Sequence, residues 1–326
     1  MSESQKVSSE FVAKIRERVA TVVVGQDEVV ERMLIALFTG GHLLLQGVPG
    51  VGKTLLVNAV AKAISLSFSR VQFTIDMLPS DIVGSEILDQ SKGSFRIHKG
   101  PVFTNLLLAD EINRAAPKVQ SALLEAMQER KVTIGNTTYP LPLPFLVIAT
   151  QNPIEQAGTF ELPEAQLDRF MLCHRLDYPT LKEEEEILNR QLAMGLRTDE
   201  RGAVPKTAFD MIKDEPCCSV EDLTRGMAAV QKIYVSEVFI RHCVEIIRKT
   251  RKHPALEVGA SPRAAMALVQ AARARAYILG RDYVIPEDLL ALAEDVMLHR
   301  IRLNYASLAE GMDGRRVLNE ILADLG

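Results

Sequence analysis

Hydrophobic positions recur at helical spacing in two early stretches. Val7, Phe11, Ile15 and Val19 share one face of a predicted helix over 7–20. Val29, Val30, Met33, Leu34 and Leu37 form the apolar face of a second helix, with Asp27 as its expected cap and Gly40-Gly41 as its end. The period then changes. His42-Leu-Leu-Leu-Gln46 is a short apolar run between glycines, the pattern of a strand buried on both faces. Similar runs predict strands at 105–109 and 145–149, with shorter ones at 72–74 and 173–176. Helices are predicted between them at 55–68, 117–129 and 163–170, and Pro79 is expected in a loop. Two hairpins are expected. One pairs 86–89 with 94–97, and the other pairs 131–134 with 137–141 around Gly135-Asn136.

Strands alternating with helices predict an α/β fold, with a mostly parallel sheet covered on both faces. After Tyr178-Pro179-Thr180 the pattern becomes helical, at 181–194, 205–214, 219–234, 236–251, 262–279 and 286–298, with no strand pair expected. The chain is therefore read as two domains. Residues 1–180 form an α/β core behind a short N-terminal helix, and 181–326 form an all-helical domain.

Composition narrows the function. With 47% hydrophobic and 25% charged residues, the 326-residue chain can bury a core and is not predominantly disordered. The formal net charge is −4 and neither half has a basic surplus, which argues against nucleic acid as a partner. Cys173, Cys217, Cys218 and Cys243 lack zinc-site spacing and read as free thiols in a reducing compartment. No apolar run reaches the ~18 residues of a membrane span, and the N-terminus lacks a signal-peptide core, so a cytoplasmic protein without an integral membrane segment is expected.

The chemistry starts at Gly47-Val-Pro-Gly-Val-Gly-Lys-Thr54, a complete Gly-x-x-x-x-Gly-Lys-Thr phosphate loop between a strand and a helix. Its glycines let successive amides turn toward phosphate oxygens, and the following helix start favours an anion. Gly47, Pro49, Gly50, Val51, Gly52, Lys53, Thr54 and Leu55 are the expected nucleotide contacts. Lys53 reaches the terminal phosphates and Thr54 offers its hydroxyl to Mg²⁺. Leu106-Leu-Leu-Ala-Asp110-Glu111 brings two carboxylates to the end of a buried strand. Asp110 is the expected Mg²⁺ ligand and Glu111 the base that polarises the attacking water. Asn152 ends the third central strand, where its amide can reach that water or the γ-phosphate.

Together these segments resemble the AAA+ ATPases, and the MoxR family among them. The resemblance is carried by the phosphate loop, the stretch from Asn105 through Asp110-Glu111-Ile-Asn-Arg114 to Arg130, Ala149-Thr-Gln-Asn-Pro153, and Gly158-Thr-Phe-Glu-Leu-Pro-Glu-Ala-Gln-Leu-Asp-Arg-Phe170. It implies a core with a five-stranded parallel sheet and a small all-helical lid. It also implies a homo-oligomeric ring, with a hexamer expected. Asn152 corresponds to the sensor 1 residue and Arg169 to an arginine finger that reaches the neighbouring subunit's γ-phosphate. Arg263, just after Ser261-Pro262, corresponds to the sensor 2 arginine of the lid, and Arg114 ranks second for an intersubunit contact. Gln26, in Val24-Gly25-Gln26, falls in the segment that lines the adenine pocket. The two hairpins would project, with Phe95, Arg96, His98 and Lys99 available to a neighbour or client. The implied activity is Mg²⁺-dependent ATP hydrolysis that remodels, assembles or activates partner proteins. Such partners include von Willebrand factor A domain proteins, and metal insertion is a variant through related magnesium chelatase subunits. A DNA-related motor and a nucleotide-dependent scaffold are the alternatives. The net charge of −4 weighs against the first and the intact Glu111 against the second.

Overall fold

Helices α1 (Glu3–Ala20) and α2 (Asp27–Thr39) follow the two apolar faces read from the sequence. The fold comes from a computed structural model that describes residues 3–47, 50–89, 91, 93–152, 158–199 and 202–323. The core continues with β1 (Leu43–Gly47), α3 (Lys53–Ala63), β2 (Phe68–Gln72), α4 (Pro79–Val83), β3 (Gly84–Asp89), β4 (Ser94–Lys99) and β5 (Leu106–Asp110). Next come α5 (Pro117–Glu129), β6 (Lys131–Ile134), β7 (Thr137–Pro140), β8 (Leu146–Gln151), α6 (Glu164–Leu167) and β9 (Leu172–Leu176). The described residues form one five-stranded parallel sheet in the order β2-β5-β8-β1-β9. Side chains alternate between its faces. Leu43, Leu45, Leu106, Leu108 and Ile148 join the cluster under α1, α2 and α3, while Leu44, Leu107, Val147 and Ala149 join the one under α5.

The rest comprises α7 (Leu181–Ala193), β10 (Leu196–Asp199), β11 (Gly202–Pro205), α8 (Val220–Val230), α9 (Glu237–Thr250), β12 (Leu256–Val258), α10 (Pro262–Ile278), α11 (Pro286–Met297), β13 (Arg302–Leu303), α12 (Tyr305–Ala309) and α13 (Gly314–Ala323). It is mostly but not wholly helical: β10 pairs with β11 and β12 with β13. The helix expected over 205–214 shrinks to a single tight turn, Ala208–Met211, because Gly202–Pro205 is spent on the strand pair. Pro79 does not sit in a loop. It opens α4, where its missing N–H costs nothing, and Asp81 accepts the Leu78 N–H at 2.8 Å. The strand expected at 72–74 lies earlier, at Phe68–Gln72. Phe73 is fully buried beyond it and its N–H still donates to the Asp110 carbonyl at 2.9 Å. Both hairpins form as expected, and the second packs Val132 and Ile134 into the core.

The core and lid share one interior. Phe38 of α2 packs against Phe11 and against Tyr277 of α10, with ring centroids 5.6 and 5.2 Å apart. A Cβ on Gly226 of α8 would come within 2.5 Å of the Phe38 ring, so helix α8 approaches α2 more closely than any larger residue there permits. Beside this contact runs a buried ionic network. Arg32 of α2 donates to Asp295 of α11 at 2.5 Å, and His174 of β9 meets the other Asp295 oxygen at 3.0 Å. Arg275 links Glu31 at 3.2 Å to Asp288 at 2.7 Å.

Candidate nucleotide site

Parallel strands deliver their carboxyl ends to one edge of the sheet, where α/β proteins bind ligands. β1 ends there in Gly47. Val48 and Pro49 of the loop lie outside the described residues. Gly50 and Gly52 adopt φ of +88° and +74°, and a Cβ on either would meet nothing within 4 Å. Glycine is required there by backbone conformation rather than by space. Gly52 precedes α3 with no side-chain cap bond among the described residues, and the first N–H groups of a helix have no partner within it. Lys53 Nζ donates to the Gly47 carbonyl at 3.0 Å. Burial lowers its pKa, and the nearby carboxylates of Asp110 and Glu111 oppose that shift.

β5 supplies the two acids, and a threonine of β8 organises them. Thr150, 1% exposed, donates its hydroxyl to Asp110 Oδ1 at 2.6 Å and accepts the N–H of Glu111 at 2.9 Å. Asp110 Oδ2 accepts from Arg70 of β2 at 2.6 and 3.2 Å. Glu111 takes a left-handed backbone, φ +56°, which is costly for a residue with a Cβ. Its Oε2 accepts from Gln72 at 2.7 Å and pairs with Arg114 at 2.7 Å. Arg114 thus sits beside the acid it follows. Asn152 is buried one residue beyond β8.

One open cavity of about 540 Å³ is lined by Gly50, Gly52, Lys53, Thr54, Leu55, Arg70, Gln72, Asp110, Glu111, Thr150 and Asn152, with Phe209 of the lid at its rim. A second cavity of about 440 Å³ adjoins it through Gly50, Gly52 and Leu55. Val22, Val23, Val51 and Gln26 line it together with Tyr178, with Ile187 and Leu188 of α7, and with Met194 just beyond that helix. A polar cavity with a lysine and an apolar slot beside it match the two ends of a nucleotide.

Two arginines singled out in the sequence lie elsewhere. Arg169 precedes β9, and the Met171 N–H donates to the His42 carbonyl at 2.9 Å, before the start of β1. Leu43 pairs with Leu172, while Gly47 pairs with Leu176. Arg169 therefore stands at the opposite end of β1 from the phosphate loop, across a strand rise of roughly 13 Å. Its Nη1 donates to the Leu124 carbonyl at 3.0 Å, and its buried Nε has no partner among the described residues. Arg263 joins it. Ser261 caps α10 through the Arg263 N–H at 3.2 Å, and the half-exposed guanidinium lies 4.0 Å from Asp168. On the first hairpin Phe95, Arg96, His98 and Lys99 are exposed, and the Lys99 ammonium lies 4.9 Å from the Phe103 ring.

Residues 42–172 match the ATPase family associated with various cellular activities (AAA), and 248–321 match the AAA lid domain. Chaperone MoxR1 of Mycobacterium tuberculosis is 44% identical over 313 residues, covering 93% of this chain and 79% of that one. The chain belongs to the MoxR family of AAA+ ATPases. Protein MoxR of Methylorubrum extorquens is 33% identical over 313 residues, covering 89% and 87% of the two chains. A crystal structure from Cytophaga hutchinsonii superposes with a TM-score of 0.87 at 43% identity, over 98% of this chain and 96% of that one.

As a MoxR-family member this chain is an ATPase with an α/β core and a helical lid. The residues that sequence reading missed are the ones around the motif. Thr150 looks like any β-branched strand residue until its hydroxyl is seen between the two acids. Arg70 and Gln72 lie on a strand whose register was misplaced by a few residues. The α7 wall of the second cavity carries no sequence motif at all.

Proposed function

We propose that this MoxR-family ATPase hydrolyses ATP with Mg²⁺ inside a homo-oligomeric ring, a hexamer in keeping with its family, and uses the cycle to remodel partner proteins in the cytoplasm. The observation that carries the ring is the separation of Arg169 from its own phosphate loop by the length of β1. An arginine at that distance serves no nucleotide in its own subunit, so it serves the next one. Arg263, on the same edge, goes with it. Both sensor 2 and finger then act on the neighbour.

Within one subunit the roles divide by position. The outward amides of the phosphate loop, together with Lys53, hold the phosphates. Thr54 and Asp110 are hard oxygen donors in the same cavity and fit Mg²⁺. When bound there, the ion neutralises phosphate charge and acts as a Lewis acid. Glu111 takes the proton of the attacking water, with Gln72 and Arg114 steadying its carboxylate. Asn152 orients that water. Gln26, Val51 and the α7 wall receive the base. The division into a core of 1–180 and a lid of 181–326 is part of this reading.

A protein client is supported by the name of the M. tuberculosis relative, a chaperone, and by the net charge of −4, which carries no basic surplus for nucleic acid. A von Willebrand factor A domain protein is the client class we favour over metal insertion, and among the described residues no helix is long and apolar enough to cross a membrane. The ring is tested by mixing. Arg169→Ala subunits keep their own base, and Glu111→Gln subunits keep their finger. Each alone should be nearly inactive, and the mixture should regain turnover that rises with total protein concentration. Full activity of Arg169→Ala alone would end the proposal.

A further inference from the structure

Asp168 immediately precedes Arg169, and its carboxylate is shared by three groups from the lid. The Ser261 hydroxyl, at the cap of α10, donates to both oxygens at 3.1 and 3.0 Å. Arg300 Nε donates to Oδ1 at 2.7 Å. Arg263 Nη1 stands 4.0 Å from Oδ2. Arg300 is itself fixed. It is 8% exposed and donates to the carbonyls of Phe170 at 2.7 Å, Met171 at 3.2 Å, Asp168 at 3.3 Å and Val296. A buried guanidinium surrounded by carbonyls needs a counter-charge, and Asp168 is the carboxylate in contact with it.

Arg263, opening a lid helix, thus lies beside the acid that directly precedes Arg169 in the chain, while the Arg169 guanidinium itself donates to the Leu124 carbonyl. We propose that Asp168 is a positioning residue that sets Arg169 and Arg263 in register, so that the neighbouring subunit's nucleotide meets both as a preformed pair. This rests on the reading that Arg169 acts in trans. The physical case is preorganisation. Two guanidinium groups aimed at one phosphoryl group must keep their spacing, and a misplacement of about 1 Å can cost on the order of 10²-fold in rate. Without the Asp168 carboxylate, Ser261 loses its acceptor, Arg300 loses its counter-ion, and the segment carrying Arg169 is freed from the α10 cap.

The test uses the full chain with Asp168→Ala and Asp168→Asn. Both should bind ATP as wild type does, because the phosphate loop and both acids at the end of β5 are untouched, and both should form rings of wild-type size. Turnover should fall at least tenfold in Asp168→Ala and by less in Asp168→Asn, whose amide oxygen still accepts from Ser261 and Arg300, with KM unchanged. Asp168→Ala mixed with Glu111→Gln should regain activity, since the latter supplies an intact edge. Asp168→Ala mixed with Arg169→Ala should not, since every interface then lacks a competent edge. Recovery in that second mixture overturns the proposal. If Asp168→Ala does not fold, wild-type turnover by Asp168→Asn overturns it too. If Arg169→Ala alone is fully active, the trans reading fails and takes this inference with it. If Arg169→Ala is slow and complemented while the Asp168 variants match wild type, only the positioning role fails.

Discussion

Thr150 and Asp110 share a 2.6 Å hydrogen bond between adjacent strands, with Thr150 as donor. The same hydroxyl oxygen accepts the Glu111 N–H at 2.9 Å, so one buried atom orients the carboxylate of one acid and the backbone of the next. Thr150→Val keeps the shape and removes the oxygen. A buried N–H left without a partner costs about 1–3 kcal/mol. The unsupported residue is also one held at positive φ, so relaxation would move the Glu111 side chain. Thr150→Val should lower both the urea midpoint and kcat, and Thr150→Ser should restore them. Wild-type turnover in Thr150→Val would show that the hydroxyl is dispensable.

Glu111→Gln separates binding from chemistry. The amide keeps its size and can still accept from Gln72, but cannot take a proton. ATP affinity measured by calorimetry should stay within a few-fold of wild type, while turnover falls roughly 10²–10⁴-fold. Asp110→Asn should behave differently, weakening ATP binding only when Mg²⁺ is present. Equal loss of binding in both variants would contradict the division of labour between the two acids.

Two histidines, buried His42 and half-buried His299, give the fold a pH limit. His42 Nδ1 accepts the Val147 N–H at 3.0 Å while Nε2 meets the Met127 carbonyl at 3.1 Å, an arrangement only the neutral ring satisfies. Burial drives its pKa down to about 4. Burial, reinforced by the neighbouring Arg300, holds His299 well below the usual imidazole range. In the unfolded chain both titrate near 6.5. Between those values the unfolded state binds more protons, so stability is complete above the unfolded pKa and is lost as pH falls, by up to about 1.4 kcal/mol per pH unit for each ring. The lowered carboxylates Asp210 and Asp222 lose their contribution only at more acidic pH. Denaturant midpoints should therefore decline from pH 7 to pH 5, and a flat profile over that range would count against buried neutral rings.

What was legible in the sequence was local chemistry set on strong periodicity. The phosphate loop and the Asp110-Glu111 pair stand out as candidates by residue type and spacing after apolar strands, and Asn152 only by its order along the chain behind them. β2 was misplaced because Phe68–Gln72 is a half-exposed edge strand with little apolar signal, whereas Phe73 beyond it is fully buried. The β10–β11 pair escaped notice because residues 196–198 and 202–205 are all exposed, leaving no alternation to read. Thr150 and Asp168 were invisible for another reason. Their importance lies in partners from β5 and from the lid, and no sequence window contains both ends of those bonds.

The buried bond between Arg32 and Asp295, shared with His174, has a mechanical meaning. Drawing the lid away from the core would break this pair, and removing either partner while the other stays buried costs about 3–5 kcal/mol. With Phe38 wedged between Phe11 and Tyr277 beside it, the subunit is cast as a single block rather than a jaw. In the ring proposed above, work extracted from a nucleotide would then emerge at the seams between blocks, as torque passed from one to the next rather than as closure of a jaw.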